Sequence, residues 1–355
     1  MREVAVIGIG QTTIAEHWDK SLKELAGDAI LDAINNAGVD HIEGIFVGNM
    51  MSSISNKQQH LGAFISDWVG AKGSEAIRIE TACSSGAAAF RSAVFAVASG
   101  ELDIAIAIGV EKMTDSPTSE TTSGLATASD ADWEISQGIS FVALNALIMQ
   151  RYLYEYDWQR KDFANFSINA HQNALTNPNA RLKMTLTEKQ FDDSSIICDP
   201  ITLMDASPIG DGAAAAVLIP LEKMLPISHT KIVRVAGSAA ASDKISIHDR
   251  NDPLWLKAAE LSSKQAYGQA GIQPGDIDFF EYHDAFTIMA ALSLEASGFI
   301  ERGLAPRLAI DNEIGLKGKI PVATMGGLKV RALKLSRSRN MTAPYHLLRL
   351  LAALA

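Results

Sequence analysis

The chain has 355 residues, 47% of them hydrophobic and 20% charged, a globular balance that excludes a disordered polypeptide and is too long for one small core. Its formal charge of −10 disfavours nucleic-acid binding, which draws on a basic face, but leaves room for an anionic ligand held by local cations or helix N-termini. Two cysteines, Cys83 and Cys198, cannot build a disulfide framework; with no signal-peptide pattern and no apolar run of the about 18–20 residues a membrane helix needs, the expectation is a soluble, cytoplasmic protein.

Val4–Ile7 reads as a short buried strand, and Gly8–Thr13 as the turn after it. Gly8-x-Gly10 carries half of a dinucleotide fingerprint, but Thr13 stands where the third glycine belongs, which counts against an oxidoreductase. Ser21 and Glu24 form a capping-box pattern ahead of Leu22, Leu25, Ala26, Ala29, Ile30, Ala33, Ile34 and Ala37, a helix that Gly38 stops. Strands follow at Ile45–Val47 and Ile77–Thr81, a small-residue helix at Ser84–Ser99, and a strand at Ile104–Val110. Helices alternating with nearly continuous apolar strands predict an α/β unit whose sheet is covered on both faces.

Residues 115–225 read differently, as an inserted loop or lid region with helices at Ser140–Tyr154 and Lys161–Leu175 and a returning core strand at Gly210–Pro220. The opening pattern then recurs 233 residues on. Ile232–Val235 reads as a strand, Leu254–Ala270 as a helix, Ala270-Gly271-Ile272 echoes Ala37-Gly38-Val39, and Asp278-Phe279-Phe280 falls where Ile45-Phe46-Val47 would. One fixed offset suggests a duplicated fold. The expected divisions are 1–114, 115–225, 226–329 and a basic tail at 330–355.

Cys83 lies in Glu80-Thr81-Ala82-Cys83-Ser84-Ser85-Gly86, between a strand and a helix of small residues. A helix N-terminus favours thiolate, so the position suits a nucleophile, and it equally suits a buried structural cysteine. His283 lies in Glu281-Tyr282-His283-Asp284-Ala285-Phe286-Thr287, read as the end of a strand before a helix, where α/β folds bind ligands. It is either a structural histidine or the partner of a Cys/His pair. Cys198 reads as structural. Pro208-Ile209-Gly210-Asp211-Gly212-Ala213 reads as a tight turn into a core strand. His17, His41, His60, His171, His229, His248 and His346 lack metal-ligand spacing, so no metal site is expected.

Four segments together resemble the thiolase superfamily, most closely archaeal acetyl-CoA acetyltransferases and sterol-carrier-type thiolases: Thr81-Ala82-Cys83-Ser84-Ser85-Gly86, Gly210-Asp211-Gly212-Ala213-Ala214, His283-Asp284-Ala285-Phe286-Thr287 and Met325-Gly326-Gly327-Leu328-Lys329. The resemblance runs from Val4 to about Lys329. It implies a thiolase fold, a duplicated αβαβα five-layered core with an inserted loop domain. It implies Cys83 as the nucleophile that accepts an acyl group, with its backbone N–H in an oxyanion hole, and His283 as the residue that helps bind a thioester oxygen as the enolate forms. The implied reaction joins two acetyl-CoA into acetoacetyl-CoA and CoA, with coenzyme A thioesters as substrates and no cofactor. Homodimers or homotetramers are implied, as is a complex with 3-hydroxy-3-methylglutaryl-CoA synthase and a zinc-ribbon/OB-fold scaffold protein that feeds the mevalonate route.

The alternatives are another condensing enzyme, of the ketoacyl synthase or 3-hydroxy-3-methylglutaryl-CoA synthase type, or a non-catalytic thioester-binding or scaffold subunit. The synthase needs a carboxylate beside the cysteine, and Glu80 is expected to point along its strand, away from the site. After Lys329 the family pattern continues with a Gly-His-Pro segment whose histidine activates the cysteine, and later with a glycine-rich loop. This chain reads Val330-Arg331-Ala332-Leu333-Lys334 instead, and its only later histidine, His346, has a different context. Residues 1–313 hold all 41 acidic residues and 23 basic ones, whereas residues 314–355 hold 8 basic and no acidic residues. The shift suggests a reading-frame change or substituted C-terminus, with reduced turnover and lower stability as the consequences.

Overall fold

A computed structural model of the chain describes residues 1–223 and 232–330. The expected basic tail beyond Val330 and His346 lie outside the described residues. Strands are β1 (Val4–Gln11), β2 (Gly44–Gly48), β3 (Glu75–Ile79), β4 (Ala105–Glu111), β5 (Ile196–Cys198), β6 (Ile201–Thr202), β7 (Gly212–Pro220) and β8 (Val233–Arg234). Helices are α1 (Leu22–Ala37), α2 (Ser52–Ser55), α3 (Leu61–Trp68), α4 (Ser85–Ser99), α5 (Thr118–Ala126), α6 (Phe141–Tyr156), α7 (Ala164–Ala174), α8 (Glu188–Asp192), α9 (Lys257–Ala270), α10 (Thr287–Ala296) and α11 (Ala305–Ile310). The chain divides into two compact units, the first containing Met1–Thr121 and Ile209–Ser238, the second Thr122–Pro208 and residues 239–330. No described helix is long and apolar enough to cross a membrane.

The first unit is a six-stranded mixed sheet in the order β3-β2-β4-β7-β1-β8. Strands β3, β2 and β4 run parallel; β7 is antiparallel to both β4 and β1, and β8 to β1. Every residue of β2, β4 and β7 is buried, which is why these segments read as unbroken apolar runs rather than alternating ones. Ile45, Val47, Ile106, Ile108, Ala215 and Val217 face α1 and α3, while Phe46, Ala105, Ala107, Ala216 and Leu218 face α4. Each large aliphatic side chain buried this way contributes about 1.5–3 kcal/mol.

Two sequence expectations change here. Gly8–Gln11 does not turn but continues β1, past a register shift between Val6 and Gly8. The glycines serve close packing: a Cβ on Gly8 would sit 2.4 Å from the Ala33 carbonyl oxygen and one on Gly10 2.1 Å from that of Ala29, so α1 lies directly on the strand. The helix itself starts as expected, with the Glu24 carboxylate accepting the Ser21 N–H at 2.8 Å, and Gly38 closes it. The segment expected to open a repeat, Ile232–Val235, supplies β8, which pairs with Ala5 and Val6 and so extends the first unit's sheet.

The second unit is mainly helical, with the small β5-β6 ladder beside α6. The expected helix at Lys161–Leu175 begins as a 3-10 turn, Arg160–Phe163, before α7. Helix α10 is buried almost all round, with α6, α7, α9 and α11 packed against it. The segment Asp278–Phe280 is not a strand: Phe280 forms one isolated bridge to Val322, its N–H donating to the Pro321 carbonyl at 2.8 Å. A strand needs a ladder, and among the described residues this segment has a single rung.

Candidate active site

In the first unit β3 ends at Ile79 and α4 begins at Ser85, leaving five residues to reverse the chain around Cys83. Ala82 takes the left-handed conformation, φ +48°, an arrangement that costs a non-glycine residue about 1–2 kcal/mol. Hydroxyls hold it there. Ser85 Oγ accepts the Thr81 N–H at 2.9 Å and donates to the Ala82 carbonyl at 2.7 Å, and Ser84 Oγ donates to the Thr81 carbonyl at 2.7 Å. Glu80 does not point away along the strand: its carboxylate folds back to accept the Ala82 N–H at 2.5 Å, so it is committed to the turn. Cys83 is half-buried at the start of α4, immediately before the N-cap residue Ser84. The helix comes very near the sheet at this end, since a Cβ on Gly48 would lie 2.4 Å from the Ser85 carbonyl oxygen.

The Gly210-Asp211-Gly212 turn does more than lead into β7. Asp211 is fully buried and accepts hydrogen bonds from the Thr114 hydroxyl, from the N–H groups of Met113, Thr114 and His17, and from Lys112 Nζ at 3.1 Å. Burial acts to raise its pKa, but these bonds outweigh it and hold the carboxyl below the ordinary range.

In the second unit His283 lies on an extended segment just before α10. The segment is held on both sides of the histidine. Glu281 accepts the Thr324 N–H at 2.7 Å and the Thr324 hydroxyl at 2.6 Å; Asp284 accepts the Leu328 N–H at 2.6 Å and that of Lys329. Further on, Ser207 N–H donates to the Ala285 carbonyl, and Asp205 accepts the Thr287 N–H on its carbonyl and the Thr287 hydroxyl on its carboxylate. Lys329 Nζ donates to the Asp205 carbonyl. Asp205, Asp284 and Lys329 are exposed by 0%, 1% and 2%, so this is a buried charge cluster. Burial raises the Asp284 carboxyl against the pull of Lys329, and lowers the Lys329 ammonium to about 8 against the pull of Asp284 and Asp205. Burial also raises Glu281 to about 7.

The loop these carboxylates grip, residues 322–330, carries the Met325-Gly326-Gly327-Leu328-Lys329 motif. Its carbonyls are taken by asparagines: Asn169 donates to Val322, Asn173 to Val322 and Ala323, and Asn177 to Met325, at 3.0–3.3 Å. Gly327, φ +56°, passes so near Asp284 that a Cβ there would lie 2.5 Å from Oδ2. Sequence reasoning missed Asp205, Glu281, Asp284, Lys329 and the asparagines. The four-residue spacing of Asn169, Asn173 and Asn177 was the available signal, since it puts the first two amides on one side of α7 and the third just beyond its end.

Of the two expected site residues, the structure places Cys83 in the first unit and His283 in the second. Cys198 sits half-buried in β5. Among the described residues no three His, Cys, Asp or Glu side chains are grouped to hold a metal ion.

Residues 4–222 match the family described as "Thiolase, N-terminal domain", and residues 239–342 match "Thiolase C-terminal domain-like". The chain is 42% identical over 333 residues to the acetyl-CoA acetyltransferase of Methanothermobacter thermautotrophicus, covering 93% of this chain and 86% of the relative. It is 37% identical over 334 residues to the acetyl-CoA acetyltransferase of Methanocaldococcus jannaschii, covering 93% and 85%. A solved structure described as "Ltp2-ChsH2(DUF35) aldolase" superposes with a TM-score of 0.79 at 22% identity, over 92% of this chain and 84% of the other, and shows the same fold. With the elbow at Cys83, the Asp211 turn and the His283 segment all falling within the matched stretches, this chain belongs to the thiolase family and is one of its acyltransferases.

Proposed function

We propose that the protein is an acetyl-CoA C-acetyltransferase acting through an acetyl-Cys83 intermediate. The observation that carries this reading is the half-buried thiol on a strained strand-to-helix turn, in a chain 42% identical to an acetyl-CoA acetyltransferase. Cys83 Sγ attacks the carbonyl carbon of acetyl-CoA; the thioester C–S bond breaks and CoA leaves as the thiol. A second acetyl-CoA gives up an α-proton, with His283 helping to bind its thioester oxygen. The resulting carbon attacks the acetyl group, a C–C bond forms as the Cys83 C–S bond breaks, and the departing sulfur takes up the proton that the second acetyl-CoA lost, restoring the thiol and leaving acetoacetyl-CoA. A strand-to-helix turn also serves the first step because backbone N–H groups at a helix start stabilise an oxyanion.

The reading includes slow turnover. A Cys/His site draws its thiolate from a base, and the sequence after Lys329 lacks the Gly-His-Pro histidine. A helix terminus offsets only about 0.3–1 kcal/mol of that loss. A homo-oligomer in the cytoplasm fits the rest: β3 ends the sheet as an edge strand with Ile77 exposed, a surface that invites pairing. The DUF35 component in the description of the structural neighbour is in keeping with a small scaffold partner, and a complex with 3-hydroxy-3-methylglutaryl-CoA synthase belongs to the same proposal.

The test is intact and peptide mass spectrometry after incubation with acetyl-CoA. An acetyl group on Cys83, absent in Cys83→Ser, is the expected result, and added imidazole should speed its appearance severalfold by standing in for the missing base. Unmodified Cys83 in a folded sample would overturn the reading.

A further inference from the structure

We propose that Asp284, braced by Lys329, is a positioning residue that fixes the orientation of His283 for the carbon–carbon bond-forming step. The proposal rests on the thiolase reading of His283 and adds to it the group that sets the histidine in place.

The argument starts from what the cluster costs. Asp284 and Lys329 are both buried, and a buried charge pair is commonly no more stabilising than a well-packed apolar pair of the same volume. Stability alone is therefore a weak reason for the arrangement. What the charges do supply is direction. The Asp284 carboxylate accepts two successive N–H groups, those of Leu328 and Lys329, and lies against the Cα of Gly327, where any side chain would collide with it. A side chain held this tightly fixes the backbone of its own residue, and His283 is the residue before it. On the other side, Asp205 grips Thr287 through both its carbonyl and its carboxylate, and its carbonyl also takes the Lys329 ammonium. Lys329 thus ties the loop after Gly327 to the start of α10, with His283-Asp284-Ala285-Phe286 in between. Glu281 repeats the device two residues before the histidine, through Thr324. The backbone that carries the imidazole is thus held on both sides, which is how supporting hydrogen bonds keep a reactive side chain in place.

A merely structural cluster and a positioning one differ in which half-reaction they touch. Acetylation of Cys83 by acetyl-CoA does not need the enolate, and condensation does. In full-length Asp284→Asn, the expected result is acetylation of Cys83 within about twofold of the parent rate, with acetoacetyl-CoA formation down at least tenfold through kcat and KM within threefold. Lys329→Met, which keeps an unbranched side chain of similar length but removes the charge and the bond to the Asp205 carbonyl, should show the same split at a smaller size. It also stands in should Asp284→Asn not fold, as judged by gel filtration and circular dichroism. Equal loss of both half-reactions in either folded variant, or no loss in both variants, overturns the proposal. His283→Gln is the control for the underlying reading: condensation unchanged in that variant would mean the histidine has no such role. A parent chain that performs neither half-reaction would remove the reaction itself, and both conclusions would fall together.

Discussion

The two regions that present the functional side chains are built from opposite materials. Around Cys83 the turn is held by neutral groups, the hydroxyls of Ser84 and Ser85 and backbone amides, together with the carboxylate of the exposed Glu80. Around His283 the framework is ionic and largely buried: Asp284, Asp205 and Lys329 with the half-buried Glu281, and asparagines on and just beyond α7 complete the loop that they hold. The difference has a physical sense. Charges packed against a thiol would bias its ionisation one way or the other, whereas a histidine that needs direction gains from supports whose energy falls steeply when geometry is lost. The neutral turn should therefore be tolerant, and the charged segment sensitive to both substitution and pH.

The largest effect expected from that contrast is at Asn173. Its amide serves two carbonyls, those of Val322 and Ala323, inside the second unit. Asn173→Ala removes one donor from each, leaving Val322 to Asn169 and Ala323 to the Gly326 N–H. Each hydrogen bond lost is worth about 0.5–1.5 kcal/mol net, and the buried side chain leaves a cavity besides, so the variant should lose about 2–4 kcal/mol in urea unfolding. A loss below about 1 kcal/mol would show that the loop is held by its carboxylate contacts alone, and the asparagines would drop out of the comparison.

How far the sequence disclosed these two regions follows from the same contrast. The Cys83 turn was legible because local signals specify it: an apolar strand, a small-residue helix, and a cysteine at the junction. The sheet was legible too, since β2, β4 and β7 are apolar throughout. The left-handed Ala82 was not, because only the hydroxyl network dictates it. The Gly8-x-Gly10 pair was misread as a turn because a glycine needed for close helix packing looks in sequence like one needed for chain reversal. In the second unit His283 stood out as a residue, but its supports come from positions 205, 281, 284 and 329, and no local pattern links charges that far apart. Asp278–Phe280 has strand composition yet only one bridge, since composition cannot announce whether a partner lies alongside.

The intermediate effect is a pH dependence that Glu281 brings to the second unit. Glu281, raised to about 7 by burial, binds its proton more tightly folded than unfolded. The stability it contributes is therefore fully present below its unfolded pKa near 4.5 and is lost as pH rises through about 7. Over that shift the change approaches about 3 kcal/mol. Lys329 has the opposite sign: its folded value is depressed to about 8, so its cost to stability is full at lower pH and lifts between about 8 and its ordinary value of 10.5. The window from pH 5 to 7.5 avoids the lysine, and because burial also raises Asp284 and Glu295 and lowers His171, the glutamate is read from the difference between the parent and Glu281→Gln. Denaturation midpoints of the parent should fall across it by more than those of Glu281→Gln; parallel curves would mean the Thr324 clamp is indifferent to the proton.

The smallest effect should be at Ala82, and its smallness is what the contrast predicts. Replacing Ala82 by glycine removes about 1–2 kcal/mol of left-handed strain but adds about 0.4–1 kcal/mol of unfolded-state entropy, so the two nearly cancel and stability should change by under about 1 kcal/mol. The hydroxyl bonds on either side do not involve the methyl group, so the turn should reform in Ala82→Gly with Cys83 still at the start of α4. Acetylation of Cys83 should then slow by no more than about fivefold, the consequence of a wider set of turn conformations rather than of lost contacts. A destabilisation above about 2 kcal/mol would mean that the Ala82 methyl is itself packed and that burial, not hydrogen bonding, holds the nucleophile. In that case the two regions would be less alike in their chemistry but equally rigid, and the tolerance attributed to the neutral turn would have to be given up.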